Sequence, residues 1–97
     1  MAGKPDGGRI RIRVIYSGRV QGVCFRANAH ELSRDRDVVG WVRNRLDGTV
    51  ELEAEGPADA VEAFLAAVAR RFTSYIANAQ RTSLPPRSAE AEFEIRF

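Results

Sequence analysis

The 97 residues hold 15 Lys and Arg against 13 Asp and Glu, with 44% hydrophobic and 29% charged residues, as in one ordinary globular domain with a modest core. A formal charge of +2 is weak evidence for any polyanionic partner, and one cysteine with one histidine excludes an internal disulfide and a His/Cys metal cluster. There is no run of about 18 apolar residues and no charged-then-apolar leader, so a cytoplasmic protein without membrane contact is expected.

Residues 1–8 include Gly3, Pro5, Gly7 and Gly8 with almost nothing to bury, and read as a flexible tail before a domain spanning 9–97. From there Arg9, Arg11 and Arg13 alternate with Ile10, Ile12 and Val14, and Tyr16 extends the apolar face of a half-buried strand. Gly18-Arg19-Val20-Gln21-Gly22-Val23-Cys24-Phe25-Arg26 then forms a strand-to-helix loop. Phe25, Ala29 and Leu32 recur at helical spacing and predict a helix of about ten residues with Phe25 and Leu32 inward. This helix either frays in the apolar-free run from Ser33 or ends on Asp37 in a left-handed backbone.

Val38 to Arg45 and Thr49 to Glu55 are β-rich runs on either side of Leu46-Asp47-Gly48, a strong hairpin signal. Pro57 opens a second helix, with Asp59 and Glu62 early and Arg70 and Arg71 late, where each suits the helix dipole. Its apolar stripe is Val61, Phe64, Leu65, Val68 and Phe72. Thr73 to Ser83 has one large aliphatic residue, Ile76, and is at best a polar edge strand. Beyond the break at Leu84-Pro85-Pro86, Ala91 to Phe97 alternates, with Phe93, Ile95 and Phe97 as the apolar face. The order βαββαβ with an extra C-terminal strand predicts an α+β, ferredoxin-like two-layer sandwich, its antiparallel or mixed sheet carrying two helices on one face.

The loop after the first strand suits an anion. Helix N-termini leave N–H groups unpaired, glycine lets backbone approach a ligand, and Arg26 adds a cation that opposes the helix dipole. Taken alone, Gly18 and Gly22 are more commonly turn formers than phosphate binders. The stretch is neither a P-loop, which ends in Gly-Lys-Ser or Gly-Lys-Thr, nor a dinucleotide fingerprint, which needs a third glycine. Cys24 is either a thiol nucleophile or a small buried or half-buried side chain. A cysteine-phosphatase loop has arginine six residues on, where this chain has His30, itself read as a surface residue ahead of a general base. Asn44, a poor strand former, either begins the hairpin turn or offers an amide able to orient a water.

Together these residues resemble the acylphosphatase family. Gly18 to Arg26 is similar to its first signature, and Gly40-Trp41-Val42-Arg43-Asn44 with Asp47-Gly48-Thr49-Val50 to its second, Asn44 lying 18 positions after Arg26. The likeness continues through Glu55-Gly56-Pro57 to Phe93-Glu94-Ile95-Arg96-Phe97. It implies the same sandwich and, without metal or cofactor, hydrolysis of acyl phosphates (carboxylic-phosphoric mixed anhydrides) to carboxylate and phosphate. By this resemblance Arg26 binds the substrate, Asn44 holds the catalytic water, and the backbone N–H groups of Gln21, Gly22, Val23, Cys24, Phe25 and Arg26 cradle the phosphate. The implied partner is a small-molecule acyl phosphate; no nucleic acid and no membrane partner are expected, and a monomer is the expected state.

Asp37 and Arg36 depart from the family, which commonly has a glycine after an aliphatic residue there. Two rival readings fit less of the chain. The acylphosphatase-like domain of a carbamoyl-transferring hydrogenase-maturation protein typically has proline after the last motif arginine, and here Ala27 follows. An RNA-recognition module on the same sandwich needs exposed aromatics on a central strand, which here offers Glu51, Glu53 and Glu55.

Overall fold

Seven elements follow one another along residues 8–97, which the computed structural model describes: β1 (Arg9–Gly18), α1 (Phe25–Ser33), β2 (Val39–Asn44), β3 (Val50–Pro57), α2 (Ala58–Arg71), β4 (Ile76–Leu84) and β5 (Phe93–Arg96). The expected tail falls outside these residues except for Gly8, whose carbonyl accepts from the Ala58 N–H at 3.2 Å. The strands form one mixed sheet in the order β4-β1-β3-β2-β5. All neighbours are antiparallel except β2 and β5, which run parallel. This is the expected α+β ferredoxin-like sandwich.

Alternation along the strands decides what meets the helices. Ile12, Val14 and Tyr16 of β1 lie opposite Ala54, Leu52 and Val50 of β3, and Val42 of β2 stands opposite Leu52. These residues are buried in one cluster with Phe25 and Ala29 of α1 and Val61, Phe64, Leu65 and Val68 of α2. Pro57 caps α2, Asp59 lies in its first turn and Arg70 and Arg71 in its last, so helix signals and apolar stripe agree. Phe72, just past the helix, puts its ring 4.2 Å from that of Phe25, which lies 5.0 Å from Tyr16. This stack fixes the first turn of α1 on the core; truncating a buried phenylalanine of this kind costs about 3–5 kcal/mol.

Strand direction places the functional end. β1 and β2 both run against β3, and β5 runs with β2, so β1, β2 and β5 finish at one edge of the sheet. That edge receives the loop after β1, Asn44 at the end of β2, and Arg96 and Phe97 at the end of β5. Gly40, Val42 and Asn44 share the helix-facing row of β2, so Asn44 stands where that row runs out beside the loop.

Two expectations need correction. The first helix does not end on a left-handed Asp37: among the described residues the non-glycine positive φ angles belong to Cys24 and Ser88. Instead its last carbonyls take N–H groups from tight turns, Arg34 to Glu31 at 3.2 Å and Arg36 to Ser33 at 3.1 Å, and the Arg36 guanidinium donates to the Leu32 carbonyl at 2.8 Å. Phe97 does not join the apolar face of the last strand but is 97% exposed, because β5 ends at Arg96.

Arg11 is fully buried on the sheet face away from the helices. Its guanidinium donates to Glu53 at 2.7 Å, Glu55 at 3.0 Å and Glu90 at 2.9 and 3.2 Å. β4 and β5 lie at opposite edges of the sheet, so the segment 85–92 must cross this face to join them. It carries Glu90 onto Arg11 and the Arg87 and Ser88 N–H groups onto Glu55, at 2.7 and 3.0 Å. The crossing segment thereby seals a charged layer rather than an apolar one. β4 is a nine-residue edge strand whose pairing with β1 shifts register between Ser17 and Gly18, and it is held to α2 by Arg81 and Glu62. Its polarity suits a sheet edge, where charges discourage pairing with another chain.

Candidate active site

The two glycines of the loop do different work. A Cβ on Gly18, at φ +121°, would lie 2.4 Å from the Tyr75 carbonyl oxygen and 2.6 Å from the Ala77 nitrogen. Gly18 therefore lets β1 approach the α2–β4 turn, where the Arg19 N–H donates to the Tyr75 carbonyl at 2.8 Å. Gly22, at φ +79°, would bring a Cβ within 4 Å of nothing, so backbone conformation alone calls for glycine there.

Cys24 caps α1 with φ 60° and ψ 32°, a left-handed conformation costing a non-glycine residue about 1–2 kcal/mol. Strain of this size collects at sites that require a particular backbone shape. Cys24 is exposed, not buried or half-buried as one reading of the sequence had it. Its carbonyl takes the Asn28 N–H at 3.0 Å and the Asn28 amide at 2.9 Å, so α1 begins without a side-chain cap on its N–H groups. Among the described residues no backbone carbonyl accepts from the N–H groups of Gln21 through Arg26. Successive N–H groups around one left-handed residue at a helix start make a concavity of positive potential.

Arg26 and Asn44 line the same cavity of about 340 Å³, together with Val20, Gly22, Cys24, Phe25, Ala27, Ile95 and Phe97. The Arg26 Nη1 donates to the Arg96 carbonyl at 3.2 Å, and its Cζ stands 4.7 Å from the centre of the Phe97 ring. The end of β5 thus holds the guanidinium at the rim. His30, one turn beyond Arg26, is not among the residues of this cavity, and Arg19 lies over the Tyr75 ring at 5.9 Å. The sequence pairing of Arg26 with Asn44 therefore corresponds to a shared space, while Arg19, the other arginine of the motif, packs on Tyr75.

Two contributors were not read from the sequence as side chains. Gln21 donates through Nε2 to the Arg45 carbonyl at 2.7 Å and the Thr49 carbonyl at 2.9 Å. A long amide between glycine-flanked positions is a faint signal, and only the fold reveals which carbonyls it meets. Phe97 was read as core, and its place beside Arg26 follows from β5 running parallel to β2. The hairpin is closed by Arg45 N–H to Thr49 carbonyl at 2.9 Å and Gly48 N–H to Arg45 carbonyl at 3.2 Å. The Asp47 carboxylate takes the Thr49 hydroxyl and N–H, which hold its pKa below the ordinary value.

A family model described as Acylphosphatase matches residues 12–95. The chain belongs to the acylphosphatase family. An acylphosphatase of Natronomonas pharaonis is 56% identical over 57 residues, 59% of this chain and 62% of that protein. One of Salinibacter ruber is 53% identical over 58 residues, 60% and 61% of the respective chains. The matched stretch spans somewhat under two thirds of the length of these curated relatives. The crystal structure of the Bacillus subtilis acylphosphatase covers 91% of this chain and 99% of its own, with a TM-score of 0.82 and 37% identity. Family and fold therefore agree along nearly the whole described chain.

Proposed function

We propose that this acylphosphatase-family protein hydrolyses small-molecule acyl phosphates to carboxylate and phosphate without a metal ion. The N–H groups of Gln21, Gly22, Val23, Cys24, Phe25 and Arg26 bind the phosphoryl oxygens, the Arg26 guanidinium neutralises their charge, and the Asn44 amide positions the attacking water. The observation that carries this reading is the single cavity shared by Arg26, Asn44 and a loop whose N–H groups have no backbone acceptor among the described residues.

The chemistry asks for no more than such a site supplies. A mixed anhydride already has a good leaving group, the carboxylate. Phosphoryl transfer passes through a loose transition state with charge on the peripheral oxygens, so fixed N–H dipoles and one guanidinium lower the barrier by electrostatics. Water adds to phosphorus, the bond from phosphorus to the carboxylate oxygen breaks, and the water's proton passes to the phosphate being formed. Arg26 suits this task because its planar fork meets two oxygens and stays charged at any working pH. Asn44 is neutral and both donates and accepts, so it orients water without competing for the proton.

Alanine at position 44 tests the division of labour. Asn44→Ala is expected to lower kcat for benzoyl phosphate by about a hundred-fold, while the inhibition constant of inorganic phosphate stays within about three-fold. Loss of phosphate affinity with kcat kept would contradict a water-positioning role.

A further inference from the structure

The loop 19–24 is anchored unequally on its two sides. Toward the α2–β4 turn it has a main-chain bond from the Arg19 N–H to the Tyr75 carbonyl, and at its far end Phe25 is sunk in the core. Toward the hairpin that carries Asn44, the hydrogen bonds between loop and hairpin among the described residues are the two donated by the Gln21 side chain. Their acceptors are the carbonyls of Arg45 and Thr49, the pair that closes the hairpin next to the Asn44–Val50 pair. One terminal amide nitrogen thus spans both strands of the hairpin, its two hydrogens diverging to two carbonyls.

We infer that Gln21 is a positioning residue, setting the distance between the phosphate-binding loop and the water-holding Asn44 by bolting the loop to the β2–β3 hairpin. This rests on the function proposed above, and it gives Gln21 a side-chain role separate from that of its own N–H group. Two neutral hydrogen bonds contribute little to global stability. Their leverage is geometric, because Asn44 immediately precedes Arg45, and an error of about 1 Å between water and phosphorus is worth up to about a hundred-fold in rate. A carboxylate of the same length could not replace the amide, since it would face two carbonyl oxygens with no hydrogen to offer.

Kinetics of Gln21→Leu and Gln21→Glu with benzoyl phosphate, alone and combined with Asn44→Ala, test the assignment. Each single variant is expected to lower kcat about ten- to thirty-fold while inhibition by inorganic phosphate changes by less than about three-fold. In the Asn44→Ala background the same substitutions should slow turnover by less than about two-fold, because a residue acting through Asn44 has nothing left to position. Full, independent slowing in that background would overturn the inference, as would a loss of phosphate affinity with kcat preserved. Full activity of Gln21→Leu beside an impaired Asn44→Ala would overturn it alone, whereas full activity of Asn44→Ala would overturn the function on which it rests.

Discussion

Lysine at position 26 is expected to lower kcat/KM for benzoyl phosphate by about a hundred- to a thousand-fold, some 2.7–4 kcal/mol of barrier, in a protein that still folds. Arg26 is the second residue of α1, behind a Phe25 held by Tyr16 and Phe72, and one arm of its guanidinium is committed to the Arg96 carbonyl. Among the described residues its other N–H groups make no hydrogen bond, and in the proposed reaction they meet two phosphoryl oxygens at once. An ammonium keeps the charge but cannot hold Arg96 and present a planar fork together. Stability should move by no more than about 1 kcal/mol, since a cation in the first turn of a helix opposes its dipole. Steady-state kinetics and circular dichroism on the same preparation decide the matter: near-normal turnover would remove Arg26 from its assigned role.

The largest effect on stability is expected on the other face of the sheet. Glu55→Gln should cost about 2–4 kcal/mol of unfolding free energy while changing turnover by less than about two-fold, because it breaks a buried pair far from the strand-end site. Burial pushes the Glu55 carboxyl up, but the Arg87 N–H, the Arg9 and Arg11 guanidinia and the Ser88 N–H outweigh it and hold the pKa at about 2, against an ordinary 4.5. Glu90 is lowered too, chiefly by its hydrogen bond from Arg11. A carboxyl lower in the folded than in the unfolded state adds stability that is complete above its unfolded pKa and is lost as pH falls toward the folded one. Urea titrations from about pH 5 down to about pH 2 should therefore show stability falling in the natural protein and falling less steeply in Glu55→Gln. Equal slopes would contradict this account of the charged layer.

Why some of this is legible in sequence and some is not follows from the range of the interactions. Alternation at Ile12, Val14 and Tyr16 and the stripe from Val61 to Phe72 are local periodicities, and a buried face enforces them. The Leu46-Asp47-Gly48 turn is likewise local. Arg11 looks solvated in isolation, because its burial depends on Glu53 and Glu55 across a strand pair and on Glu90, 79 residues away. The alternating charges of β1 and β3 are visible, but nothing local says that the segment 85–92 covers them. Gly18 shows the same limit, since its need for glycine comes from Tyr75 and Ala77, and the apparent anion signal belongs to Gly22 and Cys24. Arg26 and Asn44 carry enough motif to be paired from sequence, yet their meeting follows from β1, β2 and β5 ending together. Gln21 was named for its backbone, and its side chain gains meaning only once the hairpin is beside it.

The proposed activity is tested by hydrolysis of benzoyl phosphate compared with p-nitrophenyl phosphate, each with excess EDTA. EDTA is expected to leave cleavage of the anhydride unchanged, and the monoester to be cleaved at least about a thousand-fold more slowly, because the proposed metal-independent reaction depends on a carboxylate leaving group. Abolition of anhydride cleavage by EDTA, or comparable rates on the two substrates, would contradict it.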